Sequence, residues 1–173
     1  MNAMRHRTAR IPDQHRVDII WGVPRNSAYP SDTQLSAWLT SVLDRLSVPA
    51  CELSVRLMSA TEIIALNERY RGKPEPTNVL SFPCEEEVAG DAGVRVLGDL
   101  AICTRVIEEE ARAQGKTLAA HLAHMLVHGT LHLLGFDHIQ ECQAQKMEQV
   151  EIEIMAEFGF PDPYMSRDDE QSV

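Results

Sequence analysis

Residues 118–134 are apolar on nearly every side of a helix. Leu118, Leu122, Met125, Leu126, Val127, Leu131, Leu133 and Leu134 cover most of its circumference, and a helix without a polar face has to be buried. Whatever this chain folds into must wrap other elements around that helix. The same segment carries His121, His124, His128 and His132 within a narrow arc. Residues four apart on an α-helix differ by about 40° in direction and about 6 Å in rise. His128 and His132 therefore stand one above the other and can aim two imidazole nitrogens at one point. Gly135 can take the backbone values that stop a helix and turn the chain, and that turn would let His138 supply a third nitrogen. Three protein ligands with one position left open is the arrangement of a catalytic zinc, whereas structural zinc sites are closed by four.

A pair of histidines at this spacing on an apolar helix is usually core packing. Three of them around a helix-ending glycine point to a bound metal. The spacing is similar to the metzincin motif H-E-x-x-H-x-x-G-x-x-H, with one departure: Gly129 stands where that motif has its glutamate base. The geometry says metal hydrolase, and the missing carboxylate argues against ordinary peptide hydrolysis. His121 is about 10 Å of helix rise from His128, too far to share a metal. It and His124 are expected to be satisfied inside the core or to line the groove. Asp137, directly before His138, either orients an imidazole from behind or caps the next helix.

Composition sets the frame. The chain has 173 residues, 44% of them hydrophobic and 24% charged, enough for one domain with a proper core. No apolar run is long enough to cross a bilayer, so no membrane partner is expected. Residues 1–16, with Arg5, Arg7, Arg10 and Arg16, have no apolar stretch behind them and read as a disordered basic leader rather than a secretory signal. Residues 17–161 read as a single catalytic domain and 162–173 as an acidic flexible tail. Cys51, Cys84, Cys103 and Cys142 form no CxxC pair. They read as reduced thiols of a cytoplasmic protein, mostly in the core.

A net charge of −10 by itself disfavours nucleic acid. The acid is concentrated in Glu85–Glu87, in the helix with Glu148, Glu151, Glu153 and Glu157, and in the tail, runs that read as solvated faces and loops. Arg69-Tyr70-Arg71-Gly72-Lys73 stands apart from them. Arg71 can grip a phosphate as a fork and Lys73 as a point charge, although cations also suit an exposed helix end.

Along the chain, Val17–Trp21 reads as a strand. Leu35, Trp38, Leu39, Val42, Leu43 and Leu46 mark a helix. Cys51–Met58 alternates as a strand, and Ser59-Ala60-Thr61-Glu62 fits a capping box opening a second helix. Asn78–Phe82 reads as a strand stopped by Pro83 and joined, as a long hairpin, to a strand over Arg95–Cys103. Asn78 and Ser81 are polar residues with little packing reason to be there. Thr104 is expected to cap a third helix ending at Gly115, and Thr117 to cap the His-bearing one. A last helix carries Met147, Val150, Ile154 and Phe158. The expected fold is α+β, one domain. A small four-stranded mixed sheet packs with about five helices, and the metal site lies on a buried helix and the following turn.

Tyr70-Arg71-Gly72-Lys73, Pro76-Thr77-Asn78-Val79-Leu80-Ser81-Phe82-Pro83, Leu97-Gly98-Asp99-Leu100-Ala101-Ile102 and His128 through His138 stand in the order seen in the YbeY family of bacterial endoribonucleases. The chain resembles that family from roughly Leu53 to Phe158. The resemblance implies an α+β fold with one metal per chain, usually taken as zinc although another divalent ion is possible, held by His128, His132 and His138. It implies a single-strand-specific endoribonuclease of the cytoplasm that matures ribosomal RNA, notably the 3′ end of the small-subunit RNA, and serves ribosome quality control. Its partners would be single-stranded and ribosomal RNA and the small ribosomal subunit with its assembly factors; DNA is not expected. Arg71 becomes the basic residue at the cleft mouth, with Lys73, Asn78 and Ser81 contacting substrate and Asp137 behind a ligand. Lys73 is followed here by Pro74-Glu75, where the family often has an acidic residue. Two alternatives keep the same residues: a zinc hydrolase of a non-RNA substrate, and a non-catalytic ribosome-assembly factor with a structural metal.

Overall fold

Alternation and capping account for most of the elements. In the computed structural model, which describes residues 14–85, 94–136 and 141–165, the order is β1 (Arg16–Trp21), α1 (Asp32–Arg45), β2 (Cys51–Met58), α2 (Ala60–Arg71), β3 (Val79–Pro83), β4 (Arg95–Cys103), α3 (Thr104–Ala113), α4 (Leu118–Leu133) and α5 (Glu141–Glu157). Ser59 and Glu62 form the expected reciprocal capping box at the start of α2, satisfying two helix-end donors at once. Thr117 accepts the Ala120 N–H at 3.1 Å and opens α4.

The four strands make one mixed sheet in the order β1-β2-β4-β3. β1, β2 and β4 run parallel, and β3 returns antiparallel to β4, pairing Val79 with Ile102 and Pro83 with Gly98. Pro83 belongs to the strand rather than ending it before its last pair. An edge strand tolerates proline because one row of its backbone groups has no partner strand.

The period of two divides the sheet into two faces. Leu53, Val55 and Leu57 of β2, with Leu100 and Ile102 of β4, pack beneath Leu39 and Leu43 of α1 and Leu122 and Leu126 of α4 in the main core. Burial of each such leucine is worth about 1.5–3 kcal/mol. Met58, Leu80, Ala101 and Cys103 face the other way and pack with Ile63 of α2. The bare helix read from sequence is indeed enclosed: twelve residues of α4 are buried, covered by the sheet and by α1, α3 and α5.

One cap differs from the sequence expectation. Cys103, not Thr104, occupies the N-cap of α3, and no side chain caps that end. Thr104 is the first helical residue, and its hydroxyl turns to the Met58 carbonyl at 3.4 Å, joining α3 to the end of β2. Among the described cysteines Cys51 and Cys103 are buried, Cys84 is half-buried and Cys142 exposed, and none is bonded to another. No helix among the described residues is long and apolar enough to cross a membrane. The proposed basic leader falls almost wholly outside the described residues, as do most of the acidic loop and residues 166–173 of the tail.

Candidate metal centre

α4 reaches the sheet through Gly129. A Cβ built there would lie 2.9 Å from Leu100 Cδ2, 3.1 Å from Val79 Cγ2 and 3.3 Å from Ser81 Oγ. The helix therefore sits directly on β3 and β4, and the Ser81 hydroxyl donates to the Gly129 carbonyl at 3.0 Å. This contact explains why glycine, and not glutamate, stands after the first histidine of the motif: a carboxylate side chain at 129 would have to enter the sheet. The helix ends at Leu134 as its C-cap, and Gly135 follows at φ +86°, the left-handed turn expected of it.

Beside that seam the histidines separate into two pairs. Nε2 of His132 lies 3.1 Å from Nε2 of His128, with the rings nearly perpendicular at 78°. Two nitrogens each about 2.0–2.1 Å from one tetrahedral zinc would stand about 3.3 Å apart, so the two imidazoles already converge as two ligands of one ion would. Nδ1 of His128 meets Glu151 Oε1 at 2.8 Å, so Nε2 is the nitrogen that could ligate a metal. The residues present thus fit a metal. Among the described residues no group of three His, Cys, Asp or Glu is gathered around one point; His138, the expected third ligand, and Asp137 lie outside them.

His121 and His124 are buried, at 2% and 7% exposure. His121 Nε2 meets Glu110 at 2.7 Å and His124 Nε2 meets Glu151 at 2.9 Å. Glu110 also accepts from the Asn78 amide at 3.2 Å. Burial, partly offset by Glu110, holds the His121 pKa below its ordinary value.

Glu151 corrects one sequence expectation. It belongs to the acidic run read as a solvated face, yet it is fully buried. Burial pushes its pKa up, but hydrogen bonds from His124, His128 and Tyr164 outweigh that and bring it down to about 2. Tyr164, inside the segment expected to be a flexible tail, places its hydroxyl on Glu151 Oε2. Sequence reasoning did not single out Glu151 or Tyr164 for the site. The signal for Glu151 was its place in the stripe Met147, Glu151, Ile154, Phe158, whose spacings of four, three and four put it on the apolar face. A cleft of about 430 Å³ opens beside His128, lined by Ala144, Met147, Glu148, Glu151 and Tyr164.

The remaining expected residues are placed as follows. Arg71 ends α2 and Lys73 follows Gly72; both are exposed, with no ion pair among the described residues. Asn78 spends its amide on Glu110 and its carbonyl oxygen on the Val79 N–H at 2.7 Å. Ser81 is committed to Gly129. Tyr70, 58% exposed, meets Phe82 edge-on at 5.0 Å. These two rings help line a second cleft of about 440 Å³, with Ser54, Arg56, Met58 and Asp99, on the α2 side of the sheet.

The family model for Endoribonuclease YbeY matches residues 25–159. The chain belongs to the YbeY family. The match takes in every element from α1 to α5, including the histidine pair and Glu151, and stops short of Tyr164. The YbeY family is one of endoribonucleases, hydrolases that cut phosphodiester bonds within RNA. Among solved structures the chain is similar to TM1509 from Thermotoga maritima, at 27% identity and a TM-score of 0.53, over 86% of this chain and 99% of that one.

Proposed function

We propose that this chain is a metal-dependent, single-strand-specific endoribonuclease of the cytoplasm. Its task would be ribosomal RNA processing, including maturation of the small-subunit 3′ end, and ribosome quality control. Its partners are single-stranded and ribosomal RNA and the small ribosomal subunit with its assembly factors. The single observation that carries the chemistry is the 3.1 Å approach of the His128 and His132 Nε2 atoms, within the range matched by an endoribonuclease family.

His128, His132 and His138 would hold one divalent ion, zinc in the first instance. Held there, such an ion would supply Lewis-acid chemistry for phosphodiester hydrolysis. Arg71 binds the scissile phosphate and offsets the charge that develops on it, and Lys73 adds a second positive charge beside the same strand of RNA. Asn78 and Ser81 contact the bound RNA strand, and their hydrogen bonds to Glu110 and Gly129 keep them in place. Asp137 would orient one of the ligating imidazoles. Gly129 leaves the usual carboxylate base out of the helix, so the proton released by the attacking water would go to a substrate phosphate oxygen, to Asp137 or to solvent.

The test is cleavage of an end-labelled single-stranded RNA by metal-quantified protein, with His132→Ala alongside. Cleavage that disappears in the variant together with its metal supports the reading. Full cleavage by a verified metal-free variant, or intact RNA with the metal site filled, contradicts it.

A further inference from the structure

Glu151 is a carboxylate with no solvent exposure, a placement that costs several kcal/mol unless donors and positive charge surround it. Among the described residues no lysine or arginine reaches it. Its partners are His128 on Oε1 and His124 and Tyr164 on Oε2. An ionised carboxylate only accepts hydrogen bonds, so each partner must donate. Neutral His128 then carries its proton on Nδ1 and turns Nε2, as its acceptor nitrogen, toward His132. His124 carries its proton on Nε2, and its Nδ1 is without a partner among the described residues. Burial, with the Glu151 carboxylate adding to it, pushes the Tyr164 phenol up, so its hydroxyl remains a donor.

The carboxylate is held from its own side. Met147, Ile154 and Met155 of α5 are buried in the core, which sets the α5 backbone against α4. Beyond α5, the Asp162 carboxylate accepts the Tyr164 N–H at 2.8 Å, and Lys116 donates to the Pro163 carbonyl. The Tyr164 ring stands edge-on to His124, with centroids 5.4 Å apart.

We propose that Glu151 is the positioning residue of the metal centre: it fixes the tautomer and direction of His128, and Tyr164 and His124 clamp its second oxygen. The inference rests on the metal reading given under Proposed function. A carboxylate behind a ligating imidazole raises the basicity of that ligand, and removing such a partner typically costs 10–100-fold in metal affinity. Tyr164 lies beyond the range matched by the family model, so the outer half of the clamp comes from the segment after α5.

The experiment is Co2+ and Zn2+ binding by competition with a chromophoric chelator, together with the visible spectrum of the Co2+ form. It compares wild type, Glu151→Gln and Tyr164→Phe, each also melted without metal. Glu151→Gln is expected to bind about 10–100-fold more weakly and to shift the Co2+ absorption bands, which report the ligand field rather than the fold. Tyr164→Phe is expected to change both in the same direction by less, with a lowered metal-free melting temperature but a folded, cooperatively melting chain. Wild-type affinity and spectrum in both variants overturn the inference while leaving the metal reading intact. If Glu151→Gln does not fold, Tyr164→Phe decides by the same criterion. A wild type that takes up neither ion overturns the metal reading and the inference with it.

Discussion

At the upper half of α4, His121 and His124 give Nε2 to a carboxylate, and Nδ1 is left without a partner among the described residues. At the lower half, His128 gives Nδ1 to Glu151 and turns Nε2 toward His132. The residue type, the helix and the arc are shared, and one carboxylate, Glu151, serves a histidine of each half. The nitrogen that the carboxylate takes decides what the imidazole can do next. An Nε2 given to a carboxylate makes a buried polar group that ties helices together, and under the proposed reading an Nε2 turned toward a second histidine serves as a metal ligand. The two halves also meet different neighbours: the upper pair leans on α3 and α5, whereas the lower pair flanks the place where Gly129 rests on the sheet.

The strongest way to break this contrast is to give the lower half the glutamate that the metzincin spacing calls for. Gly129→Glu should yield no peptidase. It should fail to fold, at a cost above about 4 kcal/mol, because even a Cβ at 129 is crowded by Leu100. Circular dichroism and solubility check this, and Gly129→Ala should lose about 1–3 kcal/mol in a denaturant titration. Next in size, Arg71→Ala should keep its metal and lose about 10²-fold in RNA cleavage, which separates binding of the phosphate from construction of the metal centre. Unchanged cleavage would return Arg71 to a helix-end role.

The smallest effect belongs to the upper half. His121→Ala should lose about 1–3 kcal/mol of stability, because Glu110 loses a buried partner, with metal content unaltered. Its pH dependence has a definite sign. Burial holds His121 neutral in the fold below its ordinary value, so the unfolded chain binds more protons as pH falls below about 6.5. The stability tied to His121 is present above that pH and declines below it. Melting curves of the variant should be less acid-sensitive than wild type across that window.

Much of this was legible in the sequence. β2 falls on the residues that alternation predicts and β4 on those read as the second arm of the hairpin, and the Ser59–Glu62 box and the Thr117 cap are local patterns that need no tertiary information. The convergence of His128 and His132 follows from helix pitch alone. What was not legible depends on contacts far apart in the chain. Glu151 looked solvated because Glu148 and Glu153 flank it, and only its donors, 23 and 27 residues upstream, show why it is buried. Gly129 could be seen to lack a base, but the reason lies in β3 and β4, which only the packed sheet reveals. Thr104 has a capping side chain, yet the Met58 carbonyl competes for it.

The most direct test of the division along α4 is metal content at saturating Zn2+ in four single variants, His121→Ala, His124→Ala, His128→Ala and His132→Ala. The account predicts about one ion per chain in wild type and in the first two, with His124→Ala binding more weakly, and none in the last two. Zinc retained without His128 or His132, or lost with His121 alone in a folded protein, would contradict it.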